Sequence, residues 1–226
     1  GAATQSYWDT YSTGKSSACG SGTCDGVSAV TSDPTQSAAA NYAFKRSAYG
    51  SLFSDETLPW FMVDGMTRPF LRSEWSTTVV NSHQLQLMTL DLTANYTLAA
   101  NIDLGNDLSN KSSMWSPQGF VPIGTTNTGG GFIVNWFAGQ FDGKNHWIDD
   151  LTMKPTATGL VQVGLFTNID ADGVVKNLRL TDVDILFNQG VGNVGAVAAM
   201  NAGLIDNVSA SGKIRAGDGK IGRAHV

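Results

Sequence analysis

Ile148-Asp149-Asp150-Leu151-Thr152-Met153, Val175-Lys176-Asn177-Leu178-Arg179-Leu180 and Ile205-Asp206-Asn207-Val208-Ser209-Ala210 share one pattern: apolar, polar, Asn or Asp, apolar, polar, apolar. Asp150, Asn177 and Asn207 hold the third place, at spacings of 27 and 30 residues. The last two copies also match upstream, where Val163-Gly164-Leu165-Phe166 aligns with Val194-Gly195-Ala196-Val197 and Gly173 with Gly203. The repeat unit is therefore longer than one strand.

Within each unit apolar residues alternate, the period of a strand with one buried face. Asn or Asp before the alternation suits a left-handed corner, which short polar side chains tolerate. Such a unit cannot bury its apolar face alone, and stacking successive units about 4.8 Å apart solves the problem. The expected fold is all-β, a right-handed parallel β-helix of the pectin-lyase-like solenoid type. A sandwich would want turn signals at hairpin spacing instead. Three segments are expected: an irregular Gly/Ser-rich then aromatic-rich flank or cap over 1–80, β-helix coils over 81–220, and a foreign tail over 221–226. One short helix, capped by Asn81 or Ser82 and carrying Leu85, Met88 and Leu92, precedes the coils.

Composition agrees with a turn-rich β protein. The 226 residues include 26 Gly, and charged residues make up 15%. The acidic set is 17 Asp and two Glu, with eight Lys. Glu and Lys furnish helix surfaces, whereas Asp, Asn and Gly furnish turns, so a helical bundle is excluded. The formal charge is −5 and the 14 cationic residues are dispersed, which argues against nucleic acid as a partner. No run approaches the roughly 20 apolar residues of a membrane span.

Cys19 and Cys24 enclose Gly-Ser-Gly-Thr. Two thiols do not complete a four-ligand zinc site, so the choice lies between a small disulfide loop, favoured here, and two free thiols. A disulfide implies an oxidising compartment. Residue 1 is Gly, and Ile221-Gly222-Arg223-Ala224-His225-Val226 reads as the translation of a sequencing-library adapter. The expectation is a fragment of environmental DNA cut at both ends, and Arg223 and His225 are given no functional weight.

Tyr96-Thr97-Leu98-Ala99-Ala100-Asn101-Ile102-Asp103-Leu104, Phe120-Val121-Pro122-Ile123-Gly124, Phe137-Ala138-Gly139-Gln140-Phe141-Asp142-Gly143-Lys144-Asn145-His146 and Val163-Gly164-Leu165-Phe166 occur in that order. Together they resemble the β-helical passengers of filamentous-haemagglutinin-like, two-partner-secretion adhesins of bacteria. The stretch Val194 to Gly212 is similar to the GLUG motif found there in tandem, and the likeness covers about residues 60 to 212. Asn145, Trp147 and Ala198 depart from the family pattern. The resemblance implies a secreted or cell-surface adhesin that meets a receptor or glycan on a host or neighbouring cell, exported by an outer-membrane partner.

β-Helices also carry polysaccharide lyases and hydrolases, which need a base with charge neutralisation or two carboxylates about 5–9.5 Å apart. Asp149, Asp150, Asp182 and Asp184, with Arg179 or His146, are the candidates. Asp149 and Asp150 are adjacent and so face opposite ways on a strand, and Asp182 and Asp184 fit a solvated outer face. The reading is therefore non-enzymatic, with no catalytic residue, no cofactor and no metal. Trp136 and Trp147 are the candidate carbohydrate contacts. Loops 105–119 and 125–135 are where a receptor would touch. His83 and His146 read as structural, and Gly129-Gly130-Gly131 lacks the Lys and helix of a phosphate loop. A carbohydrate-active enzyme and a structural spacer are the rival readings.

Overall fold

The computed structural model describes residues 5–55, 57–156, 162–188 and 192–216. The adapter-like tail 221–226 lies outside them. Strand Val174–Phe187 organises what is described. Its Val175, Leu178, Leu180, Val183, Ile185 and Phe187 enter the core, in steps of two where the strand is regular and of three across the left-handed corners at Asn177 and Asp182. One edge pairs in parallel with three short strands in succession, Gln140–Asp142, Trp147–Asp149 and Thr152–Met153. The other edge pairs in parallel with Leu204–Ala216. Asn95–Leu98, Thr78–Val79 and Ile102–Asp103 extend this eight-stranded sheet, again in parallel.

The expected right-handed parallel β-helix is corrected. Described strands divide among six sheets, one of eight strands, one of three and four of two. Two of the small sheets are antiparallel, Trp60–Phe61 with Phe70–Leu71 and Thr125–Thr126 with Ile133–Val134. The result is a mostly β protein with one large parallel sheet, several small ones and a few short helices. The physical reason is unequal spacing. Gln140 faces Asn95, 45 residues back, and Val174, 34 ahead, whereas Val174 faces Leu204, 30 ahead. Units of different length pair locally without repeating one shape.

The repeat alignment shifts as well. Asp149 faces Thr181, and the Asp150 N–H donates to the Thr181 carbonyl at 3.1 Å. Asp150 therefore neighbours Asp182, not Asn177, and both are left-handed, with φ of 55° and 48°. Asn177 and Asn207 do correspond, with φ of 52° and 51°, because Lys176 faces Asp206 and Leu178 faces Val208. Under Asn177 lies the turn that begins at Gly143, whose N–H donates to the Lys176 carbonyl at 2.8 Å. That turn carries two more residues than the single corner at Asn177, with Lys144 and Asn145 both at positive φ, and this moves everything after it out of step.

Gly173 and Gly203 sit where backbones approach closely. A Cβ on Gly203 would lie 2.2 Å from the Gly173 carbonyl oxygen, and one on Gly173 would lie 2.3 Å from that of Phe137. Inside the sheet, aromatic rings stack across layers: Tyr96, Phe137 and Phe166 follow at centroid distances of 6.4 and 4.8 Å.

The expected helix forms as Ser82–Leu87 and carries Leu85, while Met88 falls in the following 3-10 turn Met88–Leu90 and Leu92 lies beyond it. Asn81 accepts the Gln84 N–H at 2.9 Å while Gln84 Oε1 accepts the Val80 N–H at 2.9 Å, a reciprocal cap. It is not alone: Thr10–Thr13 and Gly105–Ser109 are also α-helical, the latter inside the expected loop 105–119. Gln86, fully buried, receives the Trp115 indole N–H at 2.7 Å and donates to the Val121 carbonyl at 3.0 Å, so no polar atom is left wanting.

The described residues of the expected flank over 1–80 carry short strands and helical turns. Ser6–Asp9 pairs in parallel with Val27–Val30, and Val30, Ala43, Tyr49 and Met62 form a second small core. Phe61, Val63, Met66 and Phe70 belong to the main core, so the flank is fused to the sheet. Among the described residues no helix is long and apolar enough to cross a membrane.

Candidate functional site

The Ser6–Asp9 strand ends on a residue that lines a cleft. Asp9 Oδ1 accepts the N–H groups of Tyr11 at 2.9 Å and Ser32 at 3.1 Å, capping the helix that follows. Its Oδ2 meets the Arg68 guanidinium at 2.5 Å, with side chains only 7% and 13% exposed. Burial alone would raise the Asp9 carboxyl, but hydrogen bonds from Ser32 and Arg68, with the guanidinium charge, hold it below the ordinary range. Arg68 also donates from Nε to the Ser113 carbonyl at 2.8 Å and lies over the Phe44 ring, 5.4 Å from its centroid. One guanidinium thus joins the flank, the 61–70 hairpin and the 105–119 segment.

Beside this ion pair opens a cleft of about 550 Å³, lined among others by Tyr7, Tyr49, Trp60, Pro69 and Met114. Ligand sites typically fall at about 300–1,000 Å³. Both tyrosine hydroxyls are committed to backbone: Tyr7 donates to the Tyr49 carbonyl at 2.6 Å, and Tyr49 to that of Ala43 at 2.7 Å. Burial pushes the Tyr49 hydroxyl well above its usual range, so it stays a neutral donor. The rings meet edge to face at 4.9 Å. What the cleft offers is aromatic surface with a charge already matched inside its wall. That suits a neutral ligand with an apolar face and hydroxyl groups.

The candidates read from sequence fall elsewhere. Trp136 is 40% exposed on the strand paired with Phe166–Ile169, facing Asn168. Trp147 is half-buried in the large sheet, facing Arg179. They lie in different sheets. Cys19 and Cys24 are joined in a disulfide with Cα atoms 5.9 Å apart.

Two of the acidic candidates, Asp184 and Asp149, are engaged by neighbours. Asp184 lies between Lys154, at 3.0 Å, and Arg215. Asp149 accepts the Thr181 hydroxyl. Asp150 is raised by burial first, then by Asp149, Asp103 and Asp182. His83 contacts Glu74 at 2.6 Å and His146 contacts Asn101 at 3.0 Å. Among the described residues no group of three or more His, Cys, Asp or Glu is placed to hold a metal.

Sequence reasoning missed the cleft because its walls come from five separated segments. The available signal was Arg68 within an aromatic-crowded stretch.

A search of curated proteins found similarity to halomucin of Haloquadratum walsbyi, 34% identical over 128 residues, which is 56% of this chain. The chain spans 1% of that relative's length. No family model matches the chain, and no solved structure matches it.

Proposed function

We propose that the chain is a non-enzymatic segment of a large extracellular surface protein, and that it attaches to glycans through the Tyr7–Trp60 cleft. The cleft carries this reading: aromatic walls enclose about 550 Å³, and the Asp9–Arg68 pair leaves no free charge of its own there. Sugars present apolar C–H faces to aromatic rings and hydroxyls to polar rims. The indole N–H of Trp60 has no acceptor among the described residues and is available to a hydroxyl. An oxidising exterior suits the Cys19–Cys24 disulfide. Similarity to a stretch of a far longer polypeptide supports a segment working as part of a larger whole.

A glycan array tests the reading. The chain is expected to bind neutral glycans, and Trp60→Ala is expected to lose most of that signal while keeping its circular dichroism spectrum. A blank array would favour the structural-spacer reading. Sugars released from polysaccharide, and lost on Asp182→Ala or Asp184→Ala, would establish the enzyme instead.

A further inference from the structure

The sequence holds three Asn-x-Ser/Thr triplets, Asn95-Tyr96-Thr97, Asn110-Lys111-Ser112 and Asn207-Val208-Ser209. In an exported chain such a triplet is an acceptor of N-linked glycosylation when x is not Pro, and the modification belongs on exposed loops. The fold treats the three differently.

Two are built into the large sheet. Tyr96 and Thr97 pair with Phe141 and Asp142 on one side, Thr97 pairs with Thr78 on the other, and Tyr96 is fully buried. Asn95 Oδ1 accepts the Gln140 N–H at 3.1 Å, which ties the side chain to the next layer. Asn207 lies between Asp206 and Val208, which face Lys176 and Leu178, and its Nδ2 donates to Asn177 Oδ1 at 2.9 Å. A transferase can seat either Asn only by peeling a strand from its neighbour.

The third triplet lies outside strands and helices. Asn110 follows the helix Gly105–Ser109, and Asn110, Lys111 and Ser112 are all exposed. Asn110 Oδ1 accepts the Ser112 N–H at 2.8 Å and the Ser112 hydroxyl at 3.0 Å, so the two residues that define the triplet already meet. Its Nδ2 donates to the Asn106 carbonyl at 2.7 Å, and a side-chain amide nitrogen carries two hydrogens. One hydrogen can therefore give way to a sugar while the other keeps the bond to Asn106. Beside the residue opens a crevice of about 280 Å³, lined also by Tyr11, Pro34 and Leu108, which leaves room for a sugar ring.

We propose that Asn110 is the acceptor of an N-linked glycan, transferred to the folded chain. The donor class is an oligosaccharide carried on a lipid phosphate or pyrophosphate. Asn110 Nδ2 bonds to the anomeric carbon as the bond from that carbon to the phosphate oxygen breaks. The lipid phosphate leaves with the electron pair, and one Nδ2 proton passes to a base of the transferase. The proposal shares with the reading above only its extracellular setting, which the Cys19–Cys24 disulfide also suits. A blank glycan array would leave it standing.

The test incubates the native full chain with a purified oligosaccharyltransferase specific for Asn-x-Ser/Thr and its lipid-linked oligosaccharide, and reads site occupancy by glycopeptide mass spectrometry. Peptides of residues 92–100, 107–115 and 204–212 serve as unfolded acceptors, and all three should be modified. In the native chain, occupancy at Asn110 should exceed that at Asn95 and at Asn207 at least tenfold. Ser112→Ala should abolish modification of Asn110, and Ser112→Thr should keep it, both with an unchanged circular dichroism spectrum. A native chain left bare at Asn110 or modified equally at the three sites, or an unmodified 107–115 peptide, would each overturn the proposal.

Discussion

Asn207 donates its side-chain amide to that of Asn177, 2.9 Å away, and the two residues share a left-handed backbone 30 positions apart. The bond holds two corners together where the strands bend. It also makes one residue type satisfy two demands, a positive φ and a donor–acceptor amide.

Substitutions at Asn177 should separate those demands. Asn177→Ala loses the ladder bonds and strains the corner, at about 1–2 kcal/mol for the left-handed backbone and about 1 kcal/mol per hydrogen bond. Asn177→Gly loses only the bonds, so chemical denaturation should show a clearly smaller loss.

Asp142 sets an acid limit. Burial opposes its charge, but the Asn177 amide and the N–H and ammonium of Lys144 outweigh burial and bring its pKa to about 2 from 3.8. A carboxyl lowered on folding stabilises the fold fully above its unfolded pKa and loses that contribution as pH falls through the folded one. Stability should therefore drop between about pH 4 and pH 2, and Asp142→Asn should flatten that part of the profile in urea titrations at several pH values.

The ion pair of the flank should be costly to halve. Arg68→Ala leaves Asp9 buried without its cation, a change worth about 3–5 kcal/mol. Asp9→Ala combined with Arg68→Met should recover part of the loss, because the uncompensated charge is gone. Thermal unfolding of the single and double variants checks this.

Glycines should differ by position. Gly203→Ala drives a methyl to 2.2 Å from the Gly173 carbonyl oxygen, whereas a methyl on Gly130 meets nothing within 4 Å. The first should destabilise by about 1–3 kcal/mol and the second by little, as measured by denaturation.

Several of these features are legible in the sequence because local chemistry dictates them. Asn81 followed by Gln84 marks a helix start, and a pair of glycines in matched repeats marks close backbone approach. Correspondence of Asn177 with Asn207 is legible because no insertion separates the two units up to that point. The place of Asp150 is not, since the longer turn at Lys144 and Asn145 changes the offset from 34 to 32 between Asp142 and Trp147. Asp149 and Asp150 both fit a degenerate pattern, and only backbone pairing tells which neighbour each has. The uniform solenoid failed for the same reason: alternation reports a buried face, not the length of chain between faces. The cleft was hidden more deeply, because Asp9 and Arg68 are 59 residues apart and neither belongs to the repeat.

The ladder and the glycine contacts depend on the register of Val174–Phe187 against its neighbours. Thr152 faces Asp184 in the structure, whereas the repeat pattern alone would set it beside Arg179. Cysteine pairs read by a short thiol-specific cross-linker decide between them. Thr152→Cys with Asp184→Cys should cross-link efficiently and Thr152→Cys with Arg179→Cys should not, and the opposite result would contradict the register.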